Sequence, residues 1–389
     1  MMMQRDYWKI PAVVFCLAFG LVLAGCGGSG SPAGDRTHTP SWSGPHRLAA
    51  FDDFHPHRGL DITFGNGRFF AVGRCVDTDW RLVKTSTNGR NWSNVTATTF
   101  GAFYWVEGIV FGGGRFFAFG DRYDAEYSTW LLLVKTSTNG TTWTDATEDF
   151  SDYFGWIDRI VYSGGRLFSF GNHYGLHLVK TSTDGSIWTD ATDDLSAFSW
   201  INDIVFGGGK FFAFGDWNDG HNWGPLVKTS MNGTSWTDVT SDFDDFEWLS
   251  GIAFGAGMFL AFGAVGNDAL VKSSTNGTTW VDVTSDFGEP DHSLFIQHIT
   301  FVGGRFFAFG AENDGDINNW EDWFLLVKSS TNGTTWVDEP FLANNLQMTP
   351  EGLLIRGVFY SGGRTFVIAL EVEEVSQGFN IEHVVFIRE

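Results

Sequence analysis

The chain has 389 residues, with 46 acidic against 24 basic side chains and a formal net charge of −22. A surface this acidic repels the phosphates of DNA and RNA, which argues against a nucleic acid as partner. Three cysteines are too few for a disulfide framework. The 39 Phe and 18 Trp residues predict a large aromatic core, and the 49 Gly residues predict many tight turns.

The N-terminal segment has the organisation of a secretory signal. Arg5 and Lys9 give it a positive start, and residues 10–24 form an uncharged apolar run that is too short for a convincing spanning helix. The run ends in Leu-Ala-Gly-Cys at residues 23–26, which resembles the lipobox of bacterial lipoproteins. That resemblance implies cleavage before Cys26 and acylation of its thiol. An ordinary signal peptide with a chance cysteine, or an uncut anchor, is the alternative.

The lipobox resemblance divides the chain into three parts. Residues 1–25 are expected to be a lipoprotein signal peptide, residues 26–40 a flexible tether rich in Gly, Ser and Pro, and residues 41–389 the folded domain. Several acyl chains would hold the protein stably on a membrane of the bacterial cell envelope. Gly27 follows the cysteine where lipoproteins kept at the inner membrane carry Asp, so the outer membrane is favoured if there are two membranes.

An eight-residue motif, Thr-Ser-Thr-Asn-Gly-Thr-Thr-Trp, organises the rest of the chain. It occurs six times with small changes, and the steps between its Trp residues are 51, 45, 48, 44 and 56 residues. The copies lie at residues 85–92, 136–143, 181–188, 229–236, 273–280 and 329–336. A period in this range with strand-like units indicates a β-propeller.

Each repeat contains four strand-like runs. In the second repeat they are residues 108–112, 115–120, 131–137 and 141–145. Asn139-Gly140, between the third and fourth runs, predicts a type I′ hairpin turn in which both central residues have positive φ. Four consecutive antiparallel strands make one blade of a propeller.

The paired first and second strands occur seven times, one more than the eight-residue motif. The seven units begin near Ile62, Ile109, Ile160, Ile204, Ile252, Ile299 and Val358. The seventh unit lacks a fourth strand, and Ser41-Trp42-Ser43 lies in register to supply it, 50 residues before Trp92. We therefore predict an all-β, seven-bladed β-propeller of four-stranded antiparallel blades, whose last blade is completed by the N-terminal strand. Such closure removes an exposed sheet edge; an open, capped solenoid is the alternative.

The repeated motif resembles the Asp-box, or bacterial-neuraminidase, repeat of sialidases and other propellers, whose pattern is Ser-x-Asp-x-Gly-x-x-Trp. Aligned on Gly89 and Trp92, the acidic position holds Thr87, and Asn88 follows it, so the motif here is a variant. In that family the boxes are structural turns away from the active site. The Arg-Ile-Pro motif of sialidases is absent from the sequence, so the resemblance implies the fold rather than sialidase activity.

A propeller of this kind has two unlike faces. The turns between first and second strands and between third and fourth strands share one face, which we call the turn face. The loops between second and third strands share the other face with the linkers between blades, and we call it the loop face. Its loops vary and are polar and aromatic, as at 121–129, 172–177, 216–225 and 311–322, and its linkers are rich in Asp and Phe. Variable loops on a rigid scaffold usually carry binding, so we expect the site there.

Two sets of residues near the mouth of the central channel are candidates. The predicted ligand-binding set is Trp105, Trp156, Trp200, Trp248, Arg159 and Arg356. The four Trp residues each lie four positions before the Ile of a first strand, so they either stack on sugar rings or pack between blades. The weaker catalytic candidates are Glu107, Asp158, Asp203 and His298. Hydrolysis by two carboxyl groups is compatible with this set, and solvated channel side chains are the alternative.

The sequence thus predicts a lipid-anchored binding or scaffolding module, with a protein or glycan as its partner at the loop face. A carboxylate-dependent glycoside hydrolase or lyase acting in the channel is the alternative. No metal or other cofactor is expected, although the acidic segments 216–220 and 312–316 have oxygen ligands of the kind that Ca²⁺ prefers.

Overall fold

The structure is a computed structural model that describes residues 41–47, 49–54, 60–77, 80–151, 154–173, 176–266, 268–289, 292–315, 323–345, 348–349, 352–353, 355–361, 364–375 and 378–388. The predicted signal peptide, Cys26 and the tether lie outside the described residues. Within the described part, no helix is both long enough and apolar enough to cross a membrane.

The described strands form seven four-stranded antiparallel blades and one small hairpin. In chain order they are β1 (Trp42–Arg47); β2 (Asp61–Gly65), β3 (Arg68–Arg74), β4 (Arg81–Ser86) and β5 (Ser93–Asn94) of blade 1; β6 (Trp105–Gly112), β7 (Arg115–Asp124), β8 (Thr129–Ser137) and β9 (Thr144–Asp145) of blade 2; β10 (Trp156–Ser163), β11 (Arg166–His173), β12 (Leu176–Ser182) and β13 (Thr189–Asp190) of blade 3; β14 (Trp200–Gly207), β15 (Lys210–Asn218), β16 (Trp223–Ser230) and β17 (Thr237–Asp238) of blade 4; β18 (Trp248–Gly255), β19 (Met258–Val265), β20 (Asp268–Ser274) and β21 (Val281–Asp282) of blade 5; β22 (Ser293–Val302), β23 (Arg305–Asn313), β24 (Trp323–Ser330) and β25 (Val337–Asp338) of blade 6; the hairpin β26 (Met348–Thr349) and β27 (Gly352–Leu353); and β28 (Ile355–Ser361), β29 (Arg364–Val375) and β30 (Gly378–Arg388) of blade 7.

The ring of blades closes through the N-terminal strand, as predicted. β1 pairs antiparallel with β30, with Trp42 opposite Arg388 and Ser43 opposite Ile387, so blade 7 has the order β1-β30-β29-β28. The first strands β2, β6, β10, β14, β18, β22 and β28 contact one another in that order around the ring, and β28 contacts β2. They therefore surround the central channel. The prediction of seven closed blades is confirmed.

A single buried carboxylate, Glu339, holds the closing strand. It accepts hydrogen bonds from Trp42 Nε1 at 2.8 Å, Ser329 Oγ at 2.6 Å and Arg388 Nη1 at 2.8 Å. At the boundaries after the preceding five blades the equivalent residue is apolar: Val95, Ala146, Ala191, Val239 and Val283. Glu339 thus marks the one boundary at which the two ends of the domain meet.

Each blade boundary carries one short helical segment, which the sequence analysis did not predict. The α-helices are α1 (Thr96–Thr99), α2 (Glu148–Ser151), α3 (Thr192–Leu195) and α4 (Pro340–Asn345), and the 3₁₀ helices are Ala49–Phe51, Thr240–Phe243 and Thr284–Asp286. Local hydrogen bonds explain these segments: Asp145 Oδ1 accepts the Thr147 amide at 2.9 Å, and Thr147 Oγ1 accepts the Val134 amide at 3.0 Å. The linker is thereby fastened to the third strand of its own blade.

The hydrophobic core lies between consecutive blades, and the Trp of the repeated motif is part of it. The Trp143 ring lies 5.7 Å from Phe70 of blade 1, 5.0 Å from Phe100 of the linker and 6.2 Å from Phe116 of blade 2. The three Phe side chains are fully buried. The Trp therefore joins neighbouring blades, which accounts for its presence in all six copies of the motif.

The turn between third and fourth strands differs from the predicted type I′ turn. Six residues, 138–143, separate β8 from β9, and Gly140 has a φ of 69° whereas Asn139 is not among the described residues with positive φ. Asn139 Oδ1 instead accepts the amides of Thr141 at 2.8 Å and Thr142 at 2.9 Å. Asp184 does the same in its own copy, because the position requires only an acceptor oxygen.

Candidate functional site: the loop face and the channel mouth

The four predicted Trp residues are the first residues of the innermost strands of blades 2 to 5, at the loop face. Trp156, Trp200 and Trp248 are 49%, 48% and 43% exposed. They do not fill the space between blades, which the Trp residues of the repeated motif occupy. Trp105 is partly buried, because the Arg74 guanidinium lies 4.1 Å from its ring centroid.

Further exposed aromatic side chains surround these four. Twelve aromatic side chains are exposed among the described residues, and eleven lie on the loop face, whereas the twelfth, Phe206, lies near the turn-face end of β14. The eleven are Trp80, Tyr104, Tyr123, Tyr127, Trp130, Trp156, Trp200, Trp223, Trp248, Phe295 and Phe324. Exposed apolar side chains concentrated on one face are typical of interaction sites.

Several of these aromatic residues contact each other. Tyr104 lies 5.1 Å from Trp80 and 4.4 Å from Trp130, which lies 4.9 Å from Tyr123. On the other side of the ring of blades, the Trp223 ring is 5.6 Å from Trp248. Tyr123 and Trp223 come from the variable segments 121–129 and 216–225, and the aromatic composition of those segments is the sequence signal by which they could have been found.

A β-bulge in each innermost strand from blade 2 to blade 7 places polar residues at the channel mouth. The pairing register shifts at one residue per strand, so that two residues oppose one on the second strand. The extra residues are Glu107, Asp158, Asn202, Ser250, Gln297 and Arg356. The predicted site residues Glu107, Asp158 and Arg356 thus occupy equivalent bulge positions in their strands. The side chain of Arg356 is not described.

Carboxyl groups of blades 1, 2 and 3 meet around the channel. Burial raises the pKa of Asp158 to about 6, although a 3.0 Å hydrogen bond from Trp156 Nε1 and the charge of Arg159 oppose the shift. Burial also raises the pKa of Glu107; a hydrogen bond with Trp105 opposes that shift, and the charges of Asp121 and Asp158 reinforce it. Glu107 and Asp158 therefore share one electrostatic environment.

Asp61 extends this group across the channel. Burial raises its pKa to about 6, and the charge of Arg159 in blade 3 opposes the shift. Blade 2 lies between blades 1 and 3, so the two side chains interact across the channel. Asp61 is exposed to solvent, yet protein surrounds it on most sides. Both are expected of a carboxyl group that faces a narrow channel. Sequence analysis did not select Asp61, because it opens β2 without a preceding aromatic residue.

The other catalytic candidates lie apart from this group. Asp203 is buried, and its Oδ1 accepts the amide of Ile204 at 2.7 Å, which is a structural role. His298 faces the Phe262 ring at 6.4 Å, and burial lowers its pKa to about 4, so its imidazole is neutral. Arg159, a predicted ligand-binding residue, donates a hydrogen bond to the carbonyl of Asn202 in the next blade.

Metal ligands do not converge in the part of the chain that the structure describes: no group of three His, Cys, Asp or Glu side chains there could hold an ion. In the acidic segment 216–220, Asp219 Oδ1 accepts the amides of His221 at 2.8 Å and Asn222 at 2.7 Å. Asp316 of the second acidic segment lies outside the described residues. Calcium binding there stays a prediction.

Comparison with known proteins supports the fold. No protein-family model matches the sequence, and no curated protein matches it significantly. The structure is similar to the β-propeller domain of the Trilobed protease from Pyrococcus furiosus, with 8% identity and a TM-score of 0.51 over 84% of this chain and 95% of that one. It is similar to a prolyl endopeptidase, with 10% identity and a TM-score of 0.51 over 87% of this chain and 51% of that one. It is also similar to the polysaccharide lyase Uly1, with 12% identity and a TM-score of 0.46 over 88% of this chain and 90% of that one. At identities of 8% and 10%, the two likenesses with TM-scores of 0.51 show the β-propeller fold alone.

Proposed function

We propose that this protein is a binding module whose loop face holds a carbohydrate chain. The observation that carries the proposal is the segregation of eleven of twelve exposed aromatic side chains to that face. The C–H face of a sugar ring is apolar and lies flat on an indole, while its hydroxyl edge forms hydrogen bonds. Carboxyl groups such as Glu107 and Asp158 stand beside the Trp rings and would accept those bonds.

The test is a screen of the full chain, purified, against immobilised glycans of bacterial envelopes and plants. We expect binding to at least one glycan, and the double variant Trp200→Ala, Trp248→Ala should lose it. Ile187→Ala is the control, because Ile187 is exposed on the turn face. Binding that survives the double variant, or that falls equally in the control, would refute the proposed site. Capture of an envelope protein with no glycan bound would favour a protein ligand instead.

A second candidate function, glycoside hydrolysis or lysis in the channel, rests on Glu107 and Asp158. They occupy equivalent bulge positions on adjacent innermost strands, and burial raises the pKa of both carboxyl groups. One protonated and one ionised carboxyl group is the combination that acid-base hydrolysis needs. Glycan cleavage abolished by Glu107→Gln and by Asp158→Asn, but kept by Asp216→Asn, would establish this activity. Asp216 is the control because burial raises its pKa to about 6 as well, although it lies in blade 4.

We further propose that Cys26 carries the lipid that anchors the protein to the cell envelope. The proposal rests on the sequence Leu-Ala-Gly-Cys at residues 23–26 and on the apolar run before it. Replacing Cys26 with Ser removes the thiol that would be acylated. We expect the wild type in the membrane fraction and the variant in the soluble fraction; a variant that stays with the membrane would refute lipidation.

A further inference from the structure

A groove of about 1490 Å³ runs between blades 2 and 3. Its loop-face end is formed by Asp121, Trp130, Trp156 and His173, and it extends past the linker helix to Gly185 at the turn face. This volume exceeds that of an ordinary small-molecule pocket, which is about 300–1,000 Å³. The groove is therefore large enough for several sugar units rather than a single one.

Two exposed indole rings flank the loop-face end of the groove, one from each blade. Trp130 belongs to β8, and its ring lies against Tyr104 at 4.4 Å and Tyr123 at 4.9 Å. Trp156 opens β10, and its Nε1 donates to Asp158 at 3.0 Å. Because neighbouring side chains already fix both rings, little side-chain entropy would be lost when a ligand stacks on them.

The charge of the groove is negative. Four carboxylates line it, Asp121, Asp145, Glu148 and Asp149, against two guanidinium groups, Arg115 and Arg122. Arg122 acts electrostatically on Asp145, and Arg115 acts on Asp184 outside the groove. The Lys180 ammonium lies beside Asp149 and donates to its carbonyl oxygen at 2.8 Å, whereas Asp121 and Glu148 form no ion pair within the described part of the chain. A cationic ligand would complement them, and an anionic one would be repelled.

We propose that this groove binds an oligosaccharide with free amino groups, an inference that rests on the proposed carbohydrate binding at the loop face. Sugar rings stack on Trp130 and Trp156. The ammonium groups donate hydrogen bonds to the carboxylates of Asp121 and Glu148, which are the charge-assisted bonds that give such contacts their strength. The indole faces add an electrostatic attraction for the same cations.

Isothermal titration of the full chain at a mildly acidic pH, at which the amino groups of glucosamine are protonated, tests the ligand class with three probes. They are the hexamer of β-1,4-linked glucosamine, its fully N-acetylated counterpart, and a hexamer of galacturonate. We expect the glucosamine hexamer to bind about tenfold more tightly than the acetylated one. Galacturonate should bind most weakly, and added salt should reduce the advantage of the glucosamine hexamer.

Matched variants locate the site. Trp130→Ala should weaken binding of the glucosamine hexamer about tenfold, whereas Met231→Ala should leave it unchanged. Met231 is the control because its side chain is 73% exposed on the turn face of blade 4, whereas Trp130 is 51% exposed on the loop face of blade 2. The double variant Asp121→Asn, Glu148→Gln should lower the affinity for the glucosamine hexamer to that for the acetylated hexamer. The affinity of this variant for the acetylated hexamer should not change. A folding defect, in contrast, would lower the affinity for both hexamers.

The outcomes separate this inference from the proposed function. If the acetylated or galacturonate hexamer binds as tightly as the glucosamine hexamer, or if Trp130→Ala and Met231→Ala behave alike, the inference is overturned while carbohydrate binding at the loop face stands. If another glycan binds and requires Trp200 but not Trp130, the groove assignment alone fails. If neither these probes nor the glycan screen yields a ligand, both proposals fail.

Discussion

Replacing Glu339 with Gln tests how the ring is held closed. Glu339 and Arg388 are an ion pair at 2.8 Å, with side chains 10% and 15% exposed. Breaking a buried pair by removing one partner costs about 3–5 kcal/mol, because the other charge stays buried without compensation. Gln keeps one acceptor oxygen, so we expect the lower end, about 3 kcal/mol. In a domain of this size that lowers Tm by roughly 5 °C.

The neighbouring residue supplies a matched control with the same change of charge. Asp338 forms an ion pair with Lys328 at 2.9 Å, but its side chain is 76% exposed. Exposed pairs contribute about 0.5 kcal/mol, so Asp338→Asn should lower Tm by about 1 °C. Differential scanning calorimetry measures both shifts at one protein concentration and one salt concentration.

Hydrogen exchange locates the effect of the Glu339 substitution. Because Glu339 accepts the Trp42 indole N–H, Glu339→Gln should speed amide exchange in β1 more than in the strands of blade 3. Equal Tm shifts in the two variants, or uniform exchange across the blades, would refute the idea that this carboxylate holds the closing strand.

Two other expectations follow from the backbone and the channel. Gly140→Ala and Gly114→Ala both place a side chain at positive φ, but only at Gly140 would the new Cβ approach another atom closely, Arg68 Cδ at 2.6 Å. Thermal unfolding should therefore show a loss of about 1 kcal/mol for Gly114→Ala and clearly more for Gly140→Ala; equal losses would contradict the contact. The pKa values of Asp61 and Asp158 are raised to about 6, so the folded state binds protons more tightly than the unfolded chain. Their contribution to stability is present below about pH 4 and is lost as pH rises through about 6. Thermal unfolding across this range should show the difference between wild type and Asp61→Asn or Asp158→Asn following that course, and a difference independent of pH would contradict the raised pKa values.

The architecture could be predicted from the sequence because each blade repeats the same local signals. The Trp of each motif fills a space between blades, and Gly140 and its equivalents adopt positive φ, so the spacing of these residues reports the blade itself. Ser41-Trp42-Ser43 could be placed because it keeps that spacing across the two ends of the domain. The turn type was wrong because Asn-Gly is an ambiguous signal: in this longer turn Asn139 acts as an acceptor and not as a residue of positive φ.

The arrangement of the site could be predicted only in part. The position of the four Trp residues follows from their place before the first strand. The bulges at Glu107 and Asp158 do not, because a bulge depends on two residues facing one on the partner strand, which a single strand sequence cannot show. The effect of Arg159 on Asp61 needs the ring to be closed, since the two residues are in blades 1 and 3. Contacts across the channel are thus a property of the assembled fold.

The geometry of the loop face also bears on the size of the proposed ligand. Trp156, Trp200 and Trp248 are fixed by strand pairing opposite Asn172, Asp216 and Ala264, so one such ring recurs in each of blades 3, 4 and 5. A single sugar unit would reach one ring and gain little after the cost of association. A chain that engages one ring raises the effective concentration of its remaining units at the next. Recurrence of one weak site around a rigid ring therefore favours a polymer over a small molecule, and the volume of the groove between blades 2 and 3, which begins at Trp156, favours the same class of ligand.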